Sequence, residues 1–131
     1  MGLYRVVLLI DDDKEDQEIF SDAVREVDNS IRFVSEFNSD KAISNISSMK
    51  HEKPEIIFLD MNMPRLNGKQ LLSELKSDPE MMHIPVVMCS TFFGDRDMAE
   101  TARLGAAHHL VKPTRFNELC EAIADILQKR W

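Results

Sequence analysis

The sequence predicts an α/β domain wound around a parallel sheet, and two features predict it. Five short apolar runs are each bounded by turn or charged residues, the mark of strands buried on both faces. Between them lie segments whose apolar residues recur at helical spacing, and that alternation is the pattern of βαβ units. Right-handed crossovers then leave few ways to wind the sheet. At 131 residues and 44% hydrophobic composition, the chain is long enough for one well-buried core and too short for two ordinary domains. Residues 1–131 are therefore read as one domain.

Each element has its own signal. Val6 to Ile10 is an unbroken apolar run, a central strand, and it ends in Asp11-Asp12-Asp13. Ile19, Phe20, Ala23, Val24 and Val27 recur at helical spacing and predict a helix over 15–27, broken by Asp28-Asn29-Ser30. Ile31 to Phe37 is a second strand, less uniformly apolar and so nearer an edge. Ser39 is the expected N-cap of a helix carrying Ala42, Ile43, Ile46 and Met49, and Pro54 ends the connection. Ile56-Ile57-Phe58-Leu59 runs into Asp60, and Pro64 and Gly68 punctuate the segment beyond it. Leu71, Leu72 and Leu75 mark the third helix, stopped near Asp78-Pro79. Pro85 to Cys89 is the fourth strand, ending in Ser90-Thr91. Met98, Ala99 and Ala102 mark a short helix closed by Gly105 as a C′ residue. His108 to Val111 is a brief fifth strand before Lys112-Pro113. Thr114 is expected to cap a last helix with Phe116, Leu119, Ile123, Ile126 and Leu127 on its inner face.

Composition narrows the function classes. A net charge of −7 argues against a nucleic-acid surface, which needs clustered Lys and Arg. No apolar run approaches membrane-spanning length, and the N-terminus lacks a signal-peptide pattern. Cys89 and Cys120 show no metal-type spacing and read as reduced thiols of a cytoplasmic protein. His51, His83, His108 and His109 show no ligand spacing either. His108 and His109 alternate faces of a strand and cannot both serve one metal.

The chemistry gathers where the strands end. In a parallel sheet the carboxyl ends share one edge, which is where open α/β sheets place their ligands. That edge collects Asp11 and Asp12, Asp60, Ser90 and Thr91, and Lys112. Crowded carboxylates raise one another's pKa unless a cation neutralises them. Oxygen donors without Cys or His favour a hard ion, and a few carboxylates with several waters suit Mg²⁺. A carboxylate nucleophile, Mg²⁺, a lysine and a hydroxyl together meet the needs of in-line phosphoryl transfer.

These residues, in this order, resemble the receiver domains of bacterial two-component response regulators, the family of the chemotaxis regulator that acts on the flagellar motor. The resemblance spans essentially the whole chain. It rests on the acidic pair after the first strand, Asp60-Met61-Asn62-Met63-Pro64, the strand-end Ser90, and Lys112-Pro113. It implies a doubly wound, flavodoxin-like sheet in strand order 2-1-3-4-5. Asp60 would accept a phosphoryl group from a histidine kinase or histidine phosphotransfer protein. Asp12, Asp60 and the Asn62 backbone carbonyl would ligate Mg²⁺ directly, and Asp11 through water. Lys112 would pair with the phosphoryl oxygens and Ser90 would hydrogen-bond to them. A cis peptide bond is expected before Pro113, helping to aim Lys112. A downstream protein would dock on the surface of the fourth helix, fifth strand and fifth helix. The chain would act as a monomer or weak dimer, as a signalling phosphoacceptor rather than an enzyme with a separate substrate.

The remaining residues near the motifs carry plainer readings. Asp13 is a helix-cap residue, and Glu15 and Asp16 suit a helix N-terminus. Thr91 serves the backbone, and Met61 and Met63 pack around the site. Two departures from the family pattern stand out. His109 occupies the place where many receivers carry a Tyr or Phe that reorients on phosphorylation, so a switch role there is an expectation of its own. Phe92 is bulky and apolar where many receivers are polar. Two alternatives fit less well. A haloacid-dehalogenase-like phosphatase wants Asp-x-Asp on the nucleophile strand and a cap domain, but Asp60-Met61-Asn62 supplies an amide. An unphosphorylated scaffold conflicts with the intact acid and lysine set. No effector domain follows Trp131 in this sequence, so it reads as a stand-alone receiver or the receiver of something longer.

Overall fold

The apolar runs form strands and the helical-period segments form helices in the order the pattern dictates. The computed structural model describes residues 2–49, 52–61, 63 and 68–131. In chain order the elements are β1 (Val6–Ile10), α1 (Lys14–Val27), β2 (Arg32–Glu36), a 3-10 turn (Ser39–Lys41), α2 (Ala42–Ser47), β3 (Ile56–Asp60), α3 (Gly68–Ser77), β4 (Val86–Ser90), α4 (Asp95–Arg103), β5 (His108–Val111) and α5 (Phe116–Leu127). The strands make one parallel sheet in the order β2-β1-β3-β4-β5. The chain steps outward from β1 to β2 and then crosses to β3, so the winding reverses between β1 and β3. That reversal opens a crevice at the carboxyl edge.

Alternation of side chains splits the core into two layers. Val7 and Leu9 of β1 and Ile56 and Phe58 of β3 pack with Phe20 and Val24 of α1 and Leu119, Ile123 and Ile126 of α5. Leu8, Ile10, Ile57 and Leu59 face the other way, onto Ala42 and Ile46 of α2 and Leu71, Leu72 and Leu75 of α3. The central strands β1, β3 and β4 are buried throughout, whereas β2 at the edge is exposed at Arg32 and Ser35 and half-buried elsewhere.

Several boundaries differ from the sequence reading, for local reasons. Asn38, not Ser39, caps the turn before α2: its side chain accepts from the Asp40 N–H, and Ser39 lies inside the turn. The residue preceding α5 is Arg115, with no side-chain cap, and Thr114 lies one step earlier. Phe116 is exposed at the start of that helix, while Leu119, Ile123, Ile126 and Leu127 are buried as expected. In α4 the apolar residues Met98, Ala99 and Ala102 face solvent, and the one buried position belongs to Thr101. Gly105 does follow α4 at φ +107°, a left-handed conformation that favours glycine. Both cysteines are free; Cys89 is buried in β4 and Cys120 half-buried in α5.

Candidate functional site

Strand register assembles the site. Ile10 pairs with Leu59, so Asp11 and Asp60 come next on neighbouring strands. Asp60 pairs with Cys89 and Ser90 with Val111, which puts Ser90 and Lys112 successively further along the same edge. By alternation, Asp11, Asp60 and Lys112 leave the sheet on the α1/α5 side and Ser90 on the other. Gly68 lets α3 begin directly behind this edge: a Cβ there would lie 2.8 Å from the Asp60 carbonyl oxygen and 2.9 Å from the Met61 Cα. Met63 is buried beside it and Met61 half-buried, as packing residues. Asn62 and Pro64 lie outside the described residues.

The carboxylate oxygens of Asp11, Asp12 and Asp60 can approach within 4.8 Å of one another. Asp11 and Asp60 are buried and Asp12 is exposed. An all-carboxylate donor set of this size fits a hard divalent cation. The Lys112 Nζ lies 3.5 Å from Asp11 Oδ2, Asp60 Oδ1 and Asp16 Oδ2 alike. Burial pushes the Asp11 carboxyl up to about 6, against the pull of the Asp13 N–H and Lys112 and with help from Asp60 and Asp16. Burial alone would lower the Lys112 ammonium, but Asp60 and Asp11 outweigh it and hold the group above its ordinary value.

The loop after β1 is held by its own acids. The Asp13 N–H donates to Asp11 Oδ1 at 3.0 Å, and Asp13 caps α1 by accepting from the Asp16 N–H at 3.1 Å. Asp13 is thus the cap that its position predicted. Ser90 is buried beside the site, with its hydroxyl turned to its own loop. It donates to the Phe92 carbonyl at 2.8 Å and accepts from the Phe92 N–H at 3.3 Å. Thr91 is exposed, and so is Phe92 at 75%. The expected cis bond before Pro113 is absent: the Lys112–Pro113 peptide is trans. X–Pro bonds keep a trans preference of about 0.5–1 kcal/mol, and Lys112 meets the acids from the trans form. A groove of about 370 Å³ opens beside the acids, with Asp16, Lys112 and Arg115 along it and Ile19, Pro113 and Phe116 as its apolar lining.

His109 stands apart from the acids, on the opposite face of β5 from Leu110. Its Nε2 lies 2.5 Å from Thr101 Oγ1, and its ring meets Phe93 edge-on at 5.1 Å. Desolvation, and then the neighbouring His108, hold its pKa below the usual imidazole value. His108 points to the other side and stacks on Trp131 at 4.7 Å. Two residues escaped the sequence reading, Gln17 beneath the site and Thr101 beside His109, and Asp16, read only as a helix N-terminal acid, also reaches Lys112. Gln17 and Thr101 did carry a signal, each being a polar residue at a position where its helix turns inward. Gln17 precedes Phe20 and Val24 on one stripe of α1.

A model of the response regulator receiver domain matches residues 7–124. Rcp1, a response regulator of Synechocystis, is 24% identical over 126 residues, spanning 93% of this chain and 86% of its own. The crystal structure of its Mn²⁺-bound form superposes with a TM-score of 0.79 at 23% identity, over 93% of this chain and 91% of that one. The phosphorylated cyanobacterial phytochrome response regulator RcpA gives 0.82 at 24% identity, over 94% and 91%. At these identities the structural likeness carries the fold.

Proposed function

The chain belongs to the response regulator receiver domain family of two-component signalling, and from that premise we propose that Asp60 is its phosphoacceptor. The observation that carries the proposal is the convergence of Asp60 with Asp11, Asp12 and Lys112 at the sheet's crevice. A carboxylate oxygen of Asp60 attacks the phosphorus of a phosphohistidine on a histidine kinase or phosphotransfer protein. The P–N bond breaks and an acyl phosphate forms. The groove beside Lys112, with exposed Ile19 and Phe116 at its margin, suits the apolar face of the helix bearing that histidine.

Asp12 and Asp60 would ligate Mg²⁺ and Asp11 would act through water, with the Asn62 carbonyl, outside the described residues, as the further ligand that the resemblance implies; the Mn²⁺-bound form of the similar Rcp1 supports a divalent ion. When bound, the ion neutralises the acids and the charge developing on the phosphoryl oxygens. Lys112 stays protonated between Asp11 and Asp60 and pairs with a phosphoryl oxygen. Ser90 reaches that phosphoryl group only by turning its hydroxyl away from the Phe92 carbonyl. The freed loop carries Phe93, which packs on His109, and His109 holds α4 through Thr101. Phosphorylation thereby remodels the surface of α4, β5 and α5, where a downstream protein docks in the cytoplasm. The chain catalyses only its own phosphorylation and dephosphorylation. The family match leaves the phosphatase reading without support.

Acetyl phosphate with Mg²⁺ is expected to add one acid-labile phosphoryl group, and beryllium fluoride to mimic it. Asp60→Asn keeps the size and removes the nucleophile, so labelling should vanish. Labelling of Asp60→Asn at the parental level would show the site to be misassigned.

A further inference from the structure

Gln17 lies in the first turns of α1, 2% exposed, with its carboxamide beneath the end of β1. Its Nε2 is 3.0 Å from the Leu9 carbonyl, 3.0 Å from the Asp11 carbonyl and 3.1 Å from the Glu36 carbonyl. An amide has two N–H donors, so three acceptors share them. The arrangement also fixes the amide's orientation, since turning it over would aim an oxygen at three oxygens. Meanwhile Gln17 Oε1 is buried without a hydrogen-bond partner among the described residues. A group kept at that cost holds something that hydrocarbon could not. The Glu36 carbonyl also accepts the Asp11 N–H at 3.0 Å. Both main-chain polar groups of Asp11 are thus fixed, one directly by Gln17 and the other through a carbonyl that Gln17 shares.

We propose that Gln17 is a positioning residue for the acidic cluster: it pins the backbone where β1 leaves the sheet, so that Asp11 and Asp12 face Asp60. The inference rests on the phosphoacceptor reading above and concerns a residue that touches neither phosphate nor metal. Outer-shell groups that orient metal ligands typically change metal affinity or activity by about 10–100-fold when removed.

The test compares the parent with Gln17→Met, which keeps length and volume but cannot donate. Ile123→Ala serves as a control that opens the α1/α5 core without touching the end of β1. In metal-free protein, NMR hydrogen exchange at the Asp11 and Asp13 amides should quicken in Gln17→Met and not in Ile123→Ala. Calorimetric titration with MgCl₂ should show about a tenfold or greater loss of affinity in Gln17→Met alone. Phosphorylation by acetyl phosphate should fall mainly at limiting Mg²⁺ and recover toward the parental rate at saturation. Parental amide exchange and Mg²⁺ affinity in Gln17→Met would overturn the proposal, and so would an equal loss in Ile123→Ala. Failure of the parent to become phosphorylated would strike the phosphoacceptor reading alone, because exchange and Mg²⁺ affinity decide the role of Gln17 without it.

Discussion

Gly68 shows how closely one residue can govern the site. The two nearest atoms that an added methyl would meet, the Asp60 carbonyl oxygen at 2.8 Å and the Met61 Cα at 2.9 Å, are both backbone and cannot swing aside. Alanine gains up to about 1 kcal/mol in helix propensity, but overpacking of this kind costs about 1–3 kcal/mol. Gly68→Ala is therefore expected to lower the urea midpoint and to slow labelling of Asp60 by shifting its strand end. A parental midpoint and rate would mean that α3 yields instead. The histidines give a second test at this scale. Both His108 and His109 have folded-state pKa values depressed by burial, so the unfolded chain takes up their protons first. Their contribution is intact above the unfolded value of about 6.5 and is lost as pH falls through the folded values. Urea midpoints of the parent should drop across that window by more than those of His109→Gln. Identical pH profiles would place His109 in solvent.

At the scale of elements, α4 is held by polar groups where an apolar stripe would be expected. Its one buried residue is Thr101, whose hydroxyl donates to the Asp97 carbonyl at 2.7 Å and meets His109 Nε2. A hydroxyl has one proton, so with that proton on Asp97 the imidazole must donate from Nε2. The outer clamp is ionic: Lys69 of α3 lies 2.7 Å from Asp97 and 2.9 Å from Glu100. Thr101→Val should cost about 1–3 kcal/mol by stranding the imidazole N–H and should speed amide exchange through α4. Added salt should speed it further by screening the Lys69 pairs. Exchange in α4 unchanged by either would mean that apolar packing holds the helix after all. The same helix marks the limit of what the sequence made legible. Apolar runs such as Val6–Ile10 have one reading as buried strands, and once they lie parallel, Asp11, Asp60 and Lys112 must meet at one edge. Periodicity marked α4 as a helix but not its inward face, because Met98, Ala99 and Ala102 lie on its exposed side while the inward position is a threonine whose hydroxyl bonds the Asp97 carbonyl and meets His109. Gln17 showed in the sequence only as a polar residue on an inward stripe: its role depends on three carbonyls at the ends of two strands, and nothing in local sequence announces a shared amide. The trans Lys112–Pro113 bond went unforeseen because each isomer of an X–Pro bond lies within about 1 kcal/mol of the other.

At the scale of the whole molecule, the fold carries a local excess of like charge in a chain already at −7. Three carboxylates share the crevice against one lysine held among them, and burial has already driven Asp11 up to about 6. Taking up a divalent ion there relieves repulsion that the folded chain suffers and the unfolded chain, with its acids dispersed, does not. Mg²⁺ should therefore stabilise the entire domain, by about 2.7 kcal/mol when present at 100 times its Kd. Part of any such gain would be ordinary screening of the net charge, so the comparison is made against NaCl at equal ionic strength. Asp12→Asn separates the two. Asp12 is exposed, so the substitution should leave metal-free stability within about 0.5 kcal/mol of the parent, or raise it by removing one repelling charge. It should nevertheless abolish the Mg²⁺-specific rise in the urea midpoint if Asp12 ligates the ion as proposed. Equal Mg²⁺-specific rises in parent and Asp12→Asn would locate the ion elsewhere on the acidic surface. No excess over NaCl in the parent would mean that the three acids manage their repulsion through Lys112 alone.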